Sequence, residues 1–232
     1  MINLSVIVPF YNEEIFLEHS VNRLLDENIY EKILLVDNNS TDQSGNIAQK
    51  LVQNNENIEL YKTDKGKGKG KGVALSKAKE FITTSHVVIH DADLEYFPED
   101  LTEMFEKSIE YSNSMILGSR FIGDKERKNV YIRTSIANKV MSLFFSIVNF
   151  YYISDVATCY KLMPADFFKQ TTLKENGFSI EIELLSKFLK YNRSVKEVPI
   201  KYKGRSYSEG KKIKASDGLM YLVNTLRYRF IN

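Results

Sequence analysis

The chain has 232 residues, of which 43% are hydrophobic and 27% charged, with 4 Pro and 11 Gly; this excludes a disordered, collagen-like or mucin-like protein and suffices for a sizeable core. The single cysteine, Cys159, and three scattered histidines, His19, His86 and His90, exclude an intramolecular disulfide and a Cys/His zinc site, and point to a reducing, cytoplasmic compartment. Net charge is +2, yet residues 187–232 hold twelve Lys and Arg against three Asp and Glu, a surplus of nine that leaves −7 for the rest. Such a basic segment suits phosphates, lipid headgroups or nucleic acid, or forms a solvated face.

In chain order, short runs rich in Val and Ile at 4–8, 32–36, 58–61, 86–90 and 114–117 have the length of strands buried on both faces. Helical stripes separate them: Leu17, Val21, Leu24 and Leu25; Ile47, Ala48, Leu51 and Val52; Leu101, Met104, Phe105 and Ile109. Pro98, followed by Glu99 and Asp100, marks the start of the last of these helices. The alternation predicts an α/β fold with a doubly wound, mostly parallel sheet, helices on both faces and a helical, basic C-terminal part. Beyond it, helices are predicted at 133–152, 164–170 and 180–191, a strand at 195–202, and an amphipathic helix at 217–230 carrying Leu219, Leu222, Val223 and Leu226. No stretch resembles a linker, so one domain is expected, with residues 1–120 as one half and 121–232 as the other.

No basic leader with a cleavage site opens the sequence, so secretion is not expected. The most apolar stretch, 141–153, is shorter than the ~20 residues a bilayer requires and is broken by Ser142, Ser146 and Asn149. A soluble or peripheral protein is expected, with this stretch as a core helix and a membrane-contacting face as the alternative.

Ligands of open α/β sheets bind at the carboxyl ends of the strands. Three polar loops fall there: Pro9-Phe10-Tyr11-Asn12-Glu13, Asp37-Asn38-Asn39-Ser40-Thr41-Asp42 and Asp91-Ala92-Asp93-Leu94-Glu95. The second could equally cap the next helix. Asp91 and Asp93, two apart in extended backbone, would point the same way and approach one hard cation that bridges a diphosphate. The Lys-Gly repeat at 65–72 lacks the Ser or Thr of a phosphate loop, and no aromatic residue lies between Lys62 and Lys79, against a nucleic-acid patch. It reads as a loop whose last lysines, Lys71 among them, touch a nucleotide.

Together these motifs resemble the family 2 glycosyltransferases of GT-A fold, and more narrowly the polyprenyl-phosphate (dolichyl-phosphate) mannosyl- and glucosyltransferase branch. The residues carrying the resemblance are Val-Ile-Val-Pro-Phe-Tyr-Asn-Glu at 6–13, Val-Asp-Asn-Asn-Ser-Thr-Asp at 36–42, Gly-Lys-Gly at 70–72, Asp-Ala-Asp-Leu-Glu at 91–95 and Gly-Ser-Arg-Phe at 118–121. They continue with Asp155, Thr-Cys-Tyr-Lys at 158–161, Gly177-Phe178, Glu181, Glu183, Arg205 and Glu-Gly-Lys-Lys-Ile at 209–213.

The resemblance implies a nucleotide-diphosphate-sugar donor (UDP- or GDP-sugar), with Pro9, Tyr11 and Glu13 near base or ribose and Asp37 bonded to the base. It implies Mg²⁺ or Mn²⁺ on Asp91 and Asp93, with Ala92 between them against the donor and Glu95 as a third ligand or near the sugar. Arg120 and Arg133 would meet the acceptor phosphate, and Arg205 and Lys211 the donor diphosphate. The expected reaction is inverting transfer of a hexose to a polyprenyl phosphate. A sugar hydroxyl of a capsule, lipopolysaccharide or other glycan is the alternative acceptor, and would need a base, for which Asp155, Glu181 and Glu183 are candidates. Asn38 stands where many members of the family carry a second aspartate. A nucleotidyltransferase is disfavoured by the lack of a glycine-rich loop after the first strand, and nucleic acid is not an expected partner.

Overall fold

The computed structural model describes residues 2–64, 70–129, 131–205 and 215–231. The first five predicted strands form as β1 (Leu4–Phe10), β2 (Lys32–Asp37), β3 (Ile58–Lys62), β4 (His86–Ile89) and β5 (Met115–Ser119). Most of their side chains are buried, because helices cover both faces of the sheet. The predicted stripes become α1 (Leu17–Glu27), α2 (Ser44–Asn54) and α4 (Glu99–Glu110), which bury Leu17, Val21, Leu24, Ala48, Leu51, Leu101 and Met104; Ile109 instead faces outward. With β7 (Lys161–Pro164) and β8 (Val195–Pro199) the sheet order is β3-β2-β1-β4-β7-β5-β8, parallel except for β7, which runs antiparallel to both β4 and β5. One continuous sheet therefore joins the two halves of the chain.

The strand β7 and the helix after the Lys-Gly repeat had no sequence signal. β7 is a four-residue strand whose Lys161 is fully buried, so neither length nor alternation marks it. Helix α3 (Lys71–Ala78) begins in the last Lys-Gly pair and buries mostly small residues, Gly72, Ala74 and Ala78, beside Leu75. The predicted strand 195–202 divides into β8 (Val195–Pro199), paired with β5, and β9 (Tyr202–Lys203), which pairs in parallel with β6 (Arg127–Lys128). Between them the Lys201 N–H leaves the ladder to donate to Asp100 Oδ2 at 2.6 Å.

Helices α5 (Ile132–Asn149), α6 (Ala165–Gln170), α7 (Ile180–Tyr191) and α8 (Ala215–Phe230) match the predicted second-half helices within a few residues. Their orientation corrects the sequence reading. The inner face of α8 is Tyr221, Asn224, Thr225 and Tyr228, whereas Leu219, Val223 and Leu226 of the predicted core stripe are exposed. In α5 the buried residues are Ser142, Phe145 and Asn149, and Ser142 Oγ accepts the Val156 N–H at 3.1 Å. The stretch expected to be a core helix, 141–153, exposes Leu143, Ile147, Phe150 and Tyr152 while burying Phe145 and Ile153.

Gly70 and Gly72 set α3 against the 175–177 loop. Gly70 has φ +133°, and a Cβ at Gly72 would lie 1.8 Å from the Glu175 carbonyl oxygen, while the Gly72 N–H donates to the Asn176 carbonyl at 3.0 Å. Gly177 in the same loop has open space around it. Gly72→Ala is expected to cost about 1–3 kcal/mol, read as a lowered Tm or denaturant midpoint, whereas Gly177→Ala stays within about 0.5 kcal/mol; equal effects would refute the close-approach account.

Candidate active site

The carboxyl ends of β1, β2 and β4, the start of α3 and residues from the second half enclose a cavity of about 340 Å³. Pro9, Tyr11, Glu13, Lys71, Asp91, Ala92, Asp93, Glu95, Arg120, Glu181 and Arg205 all line it, so most of the residues singled out in the sequence converge. Asp91 follows β4 after His90, but Asp93 reaches the same cavity through a turn at Ala92–Asp93 rather than along extended backbone. Leu94 completes that turn at φ +62°, a left-handed conformation unfavourable for a leucine by about 1–2 kcal/mol. Asp37 does not line the cavity; its Oδ1 accepts the Ser40 N–H at 2.7 Å, closing the loop, and Asn38 takes the lining position. Asp42 caps α2, accepting the Ser44 N–H at 3.0 Å.

The cavity's charges are paired. Lys71 Nζ lies 2.8 Å from Asp91 Oδ1 and 2.8 Å from Glu181 Oε1, and Glu181 Oε2 meets the fully buried Lys161 at 2.6 Å. Burial opposes the charge of Lys71, but Asp91, Cys159 and Glu181 outweigh it and hold the ammonium well above its ordinary value. Burial likewise opposes ionisation of Asp91, and Lys71 reverses this, keeping it below the usual carboxylate range. Arg205 Nη2 pairs with Asp93 Oδ2 at 2.9 Å and Nη1 approaches Glu13 at 3.6 Å. Asp93 is pushed up to about 7 by burial, then by Asp91 and Glu95, with Arg205 opposing. His90, beside Asp91, is held between Ser20 Oγ at 3.0 Å and Tyr160 Oη at 2.9 Å, and burial lowers its pKa to about 3, so it stays neutral.

Several expected roles change. Glu95 is engaged as a clamp, accepting Tyr202 O–H at 2.6 Å and Arg205 N–H at 2.8 Å. Among the described residues no three His, Cys, Asp or Glu side chains gather to hold a metal, so the three-carboxylate set of Asp91, Asp93 and Glu95 does not form. The two aspartates still fit a hard divalent cation, since Mg²⁺ sites often use one or two carboxylates with substrate phosphates and water completing the shell. Asp155 is fully buried and grips Arg120 through both oxygens, at 2.7 and 2.8 Å. Glu183 turns away from the cavity and accepts the Lys174 and Glu175 N–H groups at 2.8 Å each.

Arg133 is exposed in the first turn of α5 and does not line this cavity, because Thr134, Ser135 and Asn138 occupy the inward side there, beside Tyr131. Those four, with Arg120, Phe121, Arg127, Asn129 and Tyr202, line a second, smaller cavity that shares Arg120 and Tyr202 with the first. Lys211 lies outside the described residues. Sequence reasoning missed Tyr96 and Tyr202; the Tyr202 ring lies 4.9 Å from the Arg120 guanidinium and the Tyr96 hydroxyl accepts the Cys159 N–H at 3.0 Å. Both arrive by long-range contacts that no local spacing marks.

The model of Glycosyl transferase family 2 matches residues 5–171 of this chain. The chain belongs to that family. A UDP-N-acetylglucosamine–dolichyl-phosphate N-acetylglucosaminyltransferase of Methanococcus voltae is 27% identical over 223 residues, covering 88% of this chain and 87% of the relative. An undecaprenyl-phosphate mannosyltransferase of Micrococcus luteus is 23% identical over 209 residues, with 88% and 85% covered. These relatives bear out the resemblance to the polyprenyl-phosphate branch. Among solved structures, glucosyl-3-phosphoglycerate synthase of Mycobacterium tuberculosis, in complex with Mn²⁺, UDP and glucosyl-3-phosphoglycerate, superposes with a TM-score of 0.75. That match has 14% identity and covers 98% of this chain and 79% of the other, bearing out the GT-A fold. The chain is thus a hexosyltransferase, and no helix among its described residues is long and apolar enough to cross a membrane.

Because Asp93 ionises near 7 in the cation-free site and a cation requires the carboxylate, binding must release a proton below that pH. Mn²⁺ titrated calorimetrically into the nucleotide-free protein should bind about tenfold more tightly at pH 8 than at pH 6. A pH-independent affinity would contradict the assignment of Asp93.

Proposed function

We propose that this glycosyltransferase transfers a hexose, with inversion, from a nucleotide-diphosphate sugar to a polyprenyl phosphate. One observation carries this reading: every carboxylate lining the cavity is engaged by a cation or a hydrogen-bond donor. Glu13 and Asp93 pair with Arg205, Asp91 and Glu181 with Lys71, and Glu95 is held by Tyr202 and the Arg205 N–H. The earlier base candidates fare no better, since Asp155 is consumed by Arg120 and Glu183 by the 174–175 backbone. A sugar hydroxyl needs a base within reach. A phosphate monoester does not, because its second pKa near 6 leaves it largely dianionic at neutral pH.

In this account an acceptor phosphate oxygen attacks the anomeric carbon as the bond from that carbon to the diphosphate oxygen breaks on the opposite face. Residues 1–120 supply most of the donor site and, at their end, Arg120 for the acceptor; residues 121–232 supply the rest of the acceptor site and contribute Arg205 to the donor site. Pro9, Tyr11 and Asn38 bound the region assigned to the nucleoside. Lys71 and Arg205, which hold Asp91 and Asp93, lie where they can turn to the diphosphate. Asp91 and Asp93 would hold Mg²⁺ or Mn²⁺, which when bound would supply Lewis-acid neutralisation of the leaving group. Arg120 spends Nε and Nη2 on Asp155, and its Nη1 has no hydrogen bond to a described residue and is assigned to the acceptor phosphate. Two anions are thereby brought together by fixed positive charge, which supplies positioning and electrostatic stabilisation. The names of the relatives, and Mn²⁺ and UDP in the solved neighbour, support the donor and metal classes.

The test is a panel of nucleotide sugars with Mg²⁺ or Mn²⁺, with and without a short-chain polyprenyl phosphate, reading nucleoside diphosphate and organic-phase product. Product is expected only with the lipid phosphate. Asp93→Ala should lose at least about 100-fold in kcat, the scale of removing one electrostatic contact to a developing charge. Hydrolysis or transfer indifferent to the lipid phosphate would sink this reading.

A further inference from the structure

Among the described residues, Lys161 is the only lysine with no exposure to solvent. It opens β7, in the middle of the sheet, and lines neither cavity. Its ammonium donates to the Val156 carbonyl at 3.3 Å, to the Thr158 carbonyl and to Glu181 Oε2 at 2.6 Å, so all three of its protons are used. Stability alone does not account for an ion at this position. An apolar side chain of similar volume in place of a buried ion pair is often neutral or stabilising, because it avoids the cost of desolvating two charges.

What Lys161 does is set by the other oxygen of its partner. Glu181 Oε1 lies 2.8 Å from Lys71 Nζ, and Lys71, unlike Lys161, lines the cavity and also meets Asp91 at 2.8 Å. Asp91, Lys71, Glu181 and Lys161 thus run inward from the cavity as an alternating, electrically neutral row. Consider Lys71 turning from this row to a diphosphate. Asp91 is left at the cavity with its side chain 25% exposed, open to a cation or water, whereas the Glu181 side chain is left at 5% exposure. With Lys161 in place that carboxylate keeps a full counter-charge. Without it, Glu181 would be a lone buried ion, and the cost of creating one would hold Lys71 where it is.

We propose that Lys161 is a positioning residue that acts through Glu181: it neutralises that carboxylate from behind, so that Lys71 can pass from Glu181 to the diphosphate of the donor. The inference rests on the proposed function for the presence of a diphosphate donor, and it deepens that reading by dividing the labour between two lysines. Lys71 is the cation that moves, and Lys161 is the cation that stays. Because Lys161 also holds the carbonyls of Val156 and Thr158, its own place is fixed by the loop that carries Asp155 and Cys159. It has no proton left with which to follow Lys71.

The test is a double-mutant cycle read by calorimetric titration of UDP and of GDP, each at saturating Mn²⁺, into wild type, Lys161→Met, Glu181→Gln and the double variant, with circular dichroism as the folding control. Lys161→Met should weaken the nucleotide that wild type binds by at least about tenfold, and adding Glu181→Gln should restore at least about fivefold of that loss, the scale of coupling within one ion network. A merely structural lysine behaves differently: the Val156 and Thr158 carbonyls stay without their donor in the double variant, so its loss would persist. If Lys161→Met does not fold, Lys161→Gln, which keeps a donor but no charge, gives the same comparison. Unchanged affinity in the single variant, or a double variant as weak as the single, would overturn the inference alone. Wild type that binds neither nucleotide would overturn the donor reading and this inference with it, whereas nucleotide binding without transfer to polyprenyl phosphate would overturn the proposed acceptor alone.

Discussion

Lys71 is the charge on which the rest of the site depends. It sits at the start of α3, inserted between Asp91 at the end of β4 and Glu181 in the first turn of α7, and Glu181 is shared with the buried Lys161 of β7. A buried ion left without a partner is far more costly than a paired one, so the row Asp91–Lys71–Glu181–Lys161 is stable only when all four elements are in place. Folding of the second half is thereby coupled to completion of the site in the first. The glycines on either side of Lys71 let α3 press against the 175–177 loop closely enough for the ammonium to reach both carboxylates.

A second pairing closes the opposite wall. Arg205 holds Asp93 and approaches Glu13, and Tyr202 and the Arg205 N–H hold Glu95. Before any ligand arrives, the cavity is thus a set of nearly neutral pairs. An anionic donor with its cation would exchange these partners, carboxylates turning to the cation and basic groups to phosphate. Fixed charges that change partners need little reorganisation of solvent, which is the condition under which electrostatic stabilisation is most effective.

The sheet was legible in the sequence because its central strands are buried on both faces and read as uninterrupted Val/Ile runs. The polar loops were legible because a parallel sheet collects the ends of β1, β2 and β4 at one edge. The pairings were not, since Lys71–Glu181, Tyr202–Glu95 and Arg205–Asp93 join residues 110, 107 and 112 positions apart. For the same reason Asp155 and Glu181 looked like free bases when each is held by partners remote in sequence, whereas Glu183 is held locally, by the Lys174 and Glu175 N–H groups and by Lys187. Helices α5 and α8 misled in a different way: their periodicity located them, but which face turned inward was settled by hydrogen bonds of Tyr221, Tyr228 and Ser142.

The central claim is that the acceptor brings its own negative charge, so that no side chain removes a proton. The pH dependence of kcat/KM tests this most directly, measured at Mn²⁺ concentrations that saturate the site at every pH, with a polyprenyl phosphate and with the corresponding phosphonate, whose second ionisation lies higher. With the phosphate the rate should rise with pH and level off above about 6, and with the phosphonate the same limb should move up by the difference between the two acceptors' pKa values. A limb that stays in place when the acceptor changes would belong to the enzyme and would contradict the account.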